Sequence, residues 1–195
     1  MFLFHIIKVV LLVVVAMLLT ACSSNIEDYK STSPSFDIKE YFTGHVIAHG
    51  MIQDYSNRVT RRFCVDLEGV WQGNSGELRE TFYFDDGEVT FRNWQLTKLA
   101  DGRYQGTAED VEGAAFGQHH GFAFQWQYNL FVPIEDDTYK FFMDDWMYQM
   151  DQYRVFNRTT MNKFGATLAE ITLFFDKENP ERRCEKPNKL KDSTI

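Results

Sequence analysis

Three residue types in this chain of 195 residues could do chemistry in combination: carboxylates in runs, histidines in pairs, and three cysteines. The runs are Asp85-Asp86, Glu109-Asp110, Glu135-Asp136-Asp137 and Asp144-Asp145. Two carboxylates can divide acid and base work when their environments push their pKa values apart. Runs of this kind in turn-rich stretches read as solvated faces. His45 and His49 would share a metal on a helix. On a strand they lie ~13 Å apart at ~3.3 Å per residue, too far for ligands ~2 Å from one zinc. His119 and His120, as strand neighbours, point to opposite faces. No metal site follows, and no cofactor motif is present. The chain has no Gly-x-Ser-x-Gly, His-Glu-x-x-His, phosphate loop or Cys-x-x-Cys. No catalytic residue can therefore be named.

The cysteines say more. Cys22 closes the stretch Leu19-Thr20-Ala21-Cys22, which follows an unbroken apolar run over residues 9–19 and the basic Lys8. A run of that length suits a signal-peptide core of ~7–15 residues and falls short of the ~20 that span a bilayer. Leu, a small residue, Ala and then Cys at its end form a bacterial lipobox. The reading is a signal peptide over residues 1–21, with Cys22 as the lipidated residue. Formal net charge is −8, and loss of Lys8 with the leader takes it to −9. So acidic a domain repels nucleic-acid phosphates and gains nothing from an anionic membrane surface. Membrane attachment would then rest on the lipid, and stable attachment takes more than one acyl chain. Cys64 and Cys184 remain, an even pair in an oxidising compartment. They form either a disulfide that pins the C-terminal tail or two separate thiols.

The elements that must position these residues are strands. Residues 22–37 are rich in Ser, Thr and charge and read as a lipidated tether, whose ~15 residues would have an r.m.s. span on the order of 20 Å. The folded domain is expected over residues 38–176, and residues 177–195 read as a charged tail, mobile except near Cys184. Within the domain, about nine strand-like segments alternate with turn signals, the first over residues 41–50. Residues 69–73 read as a bend, 113–117 as a small-residue loop, and 159–165 as a short helix. Asp86-Gly87 predicts a two-residue hairpin turn that sets Phe84 opposite Val89, Phe82 opposite Phe91 and Arg79 against Trp94. Phe122, Phe124, Trp126, Tyr128 and Leu130 share one face of a strand, with Gln125, Gln127 and Asn129 on the other. So many amphipathic strands predict an all-β fold, a single antiparallel β-barrel, with a β-sandwich as the second choice.

Taken together, the lipobox leader and the segments YFTGHVIAHG, FYFDDGEVTFRNW, DGRYQGTAEDVEG and NRTTMNKFG resemble a family of small Gram-negative lipoproteins of unknown function. The resemblance covers residues 36–175 or so. It implies a diacylglyceryl thioether and an acylated amino terminus on Cys22. With Ser23 next in the chain, it implies the outer membrane, facing the periplasm. It brings no activity. The architecture also resembles lipocalins, and Gly69-Val70-Trp71 resembles their Gly-x-Trp pattern, although that pattern sits on their first strand.

Two functional expectations follow. One is a lipocalin-like binding module for a small apolar, lipid-like ligand, with Arg92, Trp94, Trp126, Tyr128 and Trp146 as the candidate binding residues. The Gln125/Gln127/Asn129 face is a second source of polar groups. The other is an envelope interaction lipoprotein with a filled core and no ligand.

Overall fold

The computed structural model describes residues 24–186. The chain forms ten strands: β1 (Gly44–Asp54), β2 (Val59–Gln72), β3 (Ser75–Phe84), β4 (Val89–Lys98), β5 (Tyr104–Thr107), β6 (Ala115–His120), β7 (Ala123–Ile134), β8 (Asp137–Gln149), β9 (Arg154–Lys163) and β10 (Ala166–Asp176). Each pairs antiparallel with its neighbours in sequence, and β1 pairs with β10 from Ile47↔Asp176 to Asp54↔Ala169. The sheet is therefore a closed, up-and-down, lipocalin-like barrel. A sandwich is excluded because no strand edge is left open.

Alternation decides what faces inward. On β2 the buried residues are Phe63, Val65, Leu67 and Gly69, every second position. β7 sends Phe124, Trp126, Tyr128 and Leu130 inward in the same way. Four segments differ from the sequence expectation. The first strand, expected over residues 41–50, begins only at Gly44, because Ile38–Tyr41 form a short helix. Residues 69–73 do not bend, since β2 runs through Gly69 and Trp71 to Gln72. Residues 159–163 continue β9 instead of forming a helix. The small-residue loop hides β6, in which Gly117 makes room for larger neighbours: a Cβ there would come within 2.3 Å of the Trp126 ring.

The β3–β4 register is also shifted by one. Phe84 N–H donates to Glu88 O (3.0 Å) and Gly87 N–H to Phe84 O (3.0 Å), so the loop has three residues, with Gly87 left-handed at φ 92°. This loop form adds a bulge that a two-residue turn lacks. Thr81 therefore pairs with Phe91, Glu80 with Arg92 and Leu78 with Trp94. The expected Arg79–Trp94 contact is absent, because Arg79 faces outward and binds Glu77 (3.1 Å). The same loop form recurs with Asn57 and with Gly102 in the left-handed position.

The chain ahead of β1 is not loose where it is described. A 3-10 turn (Ile26–Tyr29), capped by Asn25, lies on the outside of the barrel with Ile26 buried. Phe36, the short helix Ile38–Tyr41 and Phe42 then close one end of the barrel. Asp37 caps that helix. Its carboxylate accepts from Lys39 N (2.9 Å) and from Tyr104 Oη (2.6 Å) and pairs with Lys98. Gly69 is required here, since a Cβ at that position would sit 1.7 Å from Phe42 O. Residues 25–37 are thus part of the domain and not a tether, because Ile26 packs on the outer wall and Phe36 fills the barrel end. Toward the C-terminal side Cys184 is disulfide-bonded to Cys64, 120 positions away in sequence. The Cys184 N–H donates to Asp66 Oδ1 (3.1 Å), so the described part of the tail is held along the barrel wall.

Candidate ligand-binding cavity

With one end plugged, the interior is not filled. A cavity of about 420 Å³ runs from Ile38 and Phe42 at the plug toward Phe84 and Pro133 at the opposite end. That volume falls within the ~300–1,000 Å³ typical of small-molecule sites. The filled-core alternative therefore does not describe this barrel.

Aromatics make the wall. Trp94 meets Trp126 edge to face with ring centres 5.5 Å apart, and meets Tyr128 at 5.4 Å. Gly106 on β5 and Gly117 on β6 leave the space into which Trp126 turns. Phe63, Phe82 and Phe84 pack on one another along β2 and β3.

In the middle of this apolar wall sits a cluster of charged side chains. The observed register places Glu80 beside Arg92, both facing in. Arg92 Nε and Nη2 donate to Asp110 Oδ2 at 2.9 and 2.7 Å, and Nη1 lies 3.9 Å from Glu80 Oε2. Asp110 comes from the β5–β6 connection, which is held to β7 by Phe131 N–H donating to Asp110 O (2.8 Å). Across the barrel Asp145, only 8% exposed, accepts from Asn157 Nδ2. Asn157 also donates to Trp146 O (3.2 Å) and accepts from Thr159 Oγ1 (3.3 Å).

Burial sets the acid–base character of the cluster. It pushes the Glu80 carboxyl up to about 7, and Asp145 and Asp110 nearby add to the rise, while the Arg92 guanidinium only partly counters it. Asp145 is pushed up to about 7 by burial against the opposing pull of Asn157 and Thr159. Burial works against the Arg92 charge, but Tyr128, Glu80 and Asp110 outweigh it and hold the group fully cationic. Burial raises the Tyr128 hydroxyl well above its ordinary value.

The structure brings Arg92, Trp94, Trp126 and Tyr128 together on the cavity. It removes Trp146 from the candidate binding set. On β8 the inward positions are Phe141, Met143, Asp145 and Met147, so the even-numbered Trp146 faces out. There it stacks on Tyr148 (6.1 Å), lies against Tyr29 (6.0 Å) and donates Nε1–H to Asp144 Oδ2 (3.1 Å). The Gln125/Gln127/Asn129 face is outside as well: both glutamines donate to Asp144 Oδ1, at 2.7 and 2.9 Å. Sequence reasoning missed Glu80, Asp110 and Asp145 as cavity residues. Inward parity on β7 and β8 would have singled out Asp145, had the pairing been known. His45 and His49 lie outside beside Arg183 and Arg182 of the tail. Among the described residues no group of three or more His, Cys, Asp or Glu is placed to hold a metal. Cys22 and the leader lie outside the described residues.

One family model matches the chain, over residues 16–177, and its description is "Protein of unknown function (DUF3833)". No curated protein matches it.

Proposed function

Because the chain belongs to the DUF3833 family of proteins of unknown function, its role has to be read from the barrel itself, and we propose that it is a binding module for a small, largely apolar ligand, held on the periplasmic face of the outer membrane by lipid on Cys22. The observation that carries the binding part is the cavity of about 420 Å³. Its aromatic wall supplies apolar surface, and the few polar groups converging at its centre supply orientation. The lipobox supports the anchoring part. Folding of the chain from Asn25 onward leaves Ser23 and Ser24 between Cys22 and Asn25, and those three links reach at most ~11 Å at ~3.3–3.6 Å per residue. The barrel would then sit directly at the membrane surface.

Native mass spectrometry of the full chain released from envelopes tests the binding. The expected result is an added mass that denaturation removes, together with a change in Trp fluorescence as Trp94 and Trp126 lose their occupant. A chain that carries no added mass, and whose Trp emission responds to no apolar probe, overturns it. Anchoring is tested in the same preparations with Cys22→Ser, which should abolish acyl labelling and membrane fractionation.

A further inference from the structure

The proposed binding module has a charge pattern inside that limits what head group it can accept. Fatty acids would be the default occupants of a greasy barrel, and they need a cation or an unused donor for their carboxylate. Both arginines that line the cavity already have their charge matched by carboxylates, and Arg61 Nε is the one buried guanidinium donor among the described residues left without a partner. Arg92 is held by Asp110 in a two-pronged contact and faces Glu80. Arg61, nearer the open end, has its Nη2 on both Asp86 (2.7 Å) and Glu88 (2.7 Å), and its guanidinium lies 3.7 Å from the Phe84 ring centre. The Asn157 amide is likewise spent on Asp145 and Trp146 O.

The acid side is in surplus. Of the four carboxylates that border the cavity, Glu80, Asp110 and Asp145 gather around Arg92, while Glu88 pairs with Arg61 nearer the open end. The three around Arg92 come from three places in the fold: β3, the β5–β6 connection and β8. Two buried negative charges without cations are unfavourable in a low-dielectric interior. Acids of this kind alone would be no more than a structural oddity. What makes them a recognition feature is the open volume beside them, walled by Trp94, Trp126 and Tyr128, whose ring faces also favour cations.

Resting on the binding reading above, we propose that the cavity selects amphipathic cations: ligands with an apolar body and a protonated amine that seats between Glu80 and Asp145. Above about pH 7, where Glu80 and Asp145 ionise, a carboxylate head would place a fourth negative charge in the same space. The groups that face this seat are Glu80, Arg92, Asp110, Tyr128 and Asp145. Since Glu80 and Asp145 hold their protons up to about pH 7, seating a cation there releases protons. Affinity for the amine should therefore tighten as pH rises.

The experiment compares three probes of one chain length, decylamine, decanol and decanoate, on the full chain in a neutral detergent, read by Trp fluorescence against detergent blanks. Decylammonium is expected to bind about tenfold or more tighter than decanoate. Its affinity should rise several-fold between about pH 6 and pH 8, the range in which the two carboxyls ionise, while that of decanol stays flat. In Glu80→Gln with Asp145→Asn the preference for decylammonium over decanoate should collapse. The pH series on the unaltered chain carries the test should that variant fail to fold. A decylammonium affinity no greater than that of decanol or decanoate overturns the head-group inference and leaves the binding module standing. No response to any of the three strikes the binding reading itself.

Discussion

The two ends of the barrel are built from the same kinds of residue and put them to opposite uses. At the closed end Phe36 is 0% exposed and is held by its N–H donating to Gly121 O (2.8 Å). At the open end Phe164, in the β9–β10 turn, is 97% exposed. The closed end is crossed by long-range polar ties: Tyr41 Oη donates to Tyr153 O (2.8 Å), and Lys177 Nζ donates to Tyr41 O (2.7 Å). The open end keeps its charged pairs between neighbouring strands, as in Arg62–Asp85. A closed barrel of ten strands encloses more volume than its own inward side chains fill. The N-terminal segment fills one end, and the cavity is the volume between it and the open end.

The strongest way to break that comparison is to remove one aromatic from each end. Phe36→Ala should lower unfolding free energy by ~3–5 kcal/mol, the range for a buried Phe truncated to Ala, as read from denaturant midpoints. Phe164→Ala should change it by less than ~0.5 kcal/mol, as for an ordinary surface substitution. Equal effects would mean that the N-terminal segment is not a plug.

How far this arrangement could be seen in the sequence depends on what each residue announces. Period-two alternation made the barrel legible, and Gly87 and Gly102 marked two of its turns. The β3–β4 register was not legible, because a Gly after Asp86 suits both a two-residue turn and a three-residue turn with a bulge. That single step decides whether Glu80 meets Arg92, and so decides the cavity's polar centre. Trp146 and Asp145 were misassigned for a related reason. Hydrophobicity alone puts the Trp inside and the acid outside, whereas β8 does the reverse because Ile26 and Tyr29 cover Trp146 from outside. Residues 25–37 look like a linker because polar residues outnumber the two that matter most, Ile26 and Phe36.

The closed end and the cavity should also respond to pH with opposite sign. Burial would raise Asp37 at the closed end, but Lys98 and Tyr104 outweigh it and hold the carboxyl below its usual range. A lowered folded pKa contributes stability that is present at neutral pH and lost as pH falls through the folded value. Glu80 and Asp145 are raised to about 7, so between their unfolded values near 4 and about 7 the native state holds the extra protons. Their contribution is complete in acid and is lost as pH rises toward 7 and above. Glu80→Gln with Asp145→Asn should therefore flatten the profile and stabilise the protein at about pH 8, by ~1–3 kcal/mol. Asp37→Asn should destabilise it near neutrality by ~1 kcal/mol and remove part of the acid-side loss. Denaturant melts across the pH range separate the two. A double variant with no gain at alkaline pH would show that water in the cavity already solvates the two acids.

The smallest effect is expected at the tip of the open end. Lys163 pairs with Ala166, which leaves Phe164 and Gly165 as a two-residue turn, with both residues left-handed at φ 54° and 80°. Gly takes that conformation freely and Asn tolerates it, whereas an aromatic residue is strained there. The Phe164 ring returns little to the fold: it is almost wholly in solvent, and Lys163 Nζ lies closer to the Tyr139 ring centre (4.4 Å) than to that of Phe164 (5.7 Å). Phe164→Asn should therefore raise stability by about 0.5–1 kcal/mol through the turn alone, visible as a shift of the thermal midpoint to higher temperature. A loss instead of a gain would mean that the ring makes contacts at the open end that oppose the strain, and the contrast between the two barrel ends would be smaller than their exposures suggest.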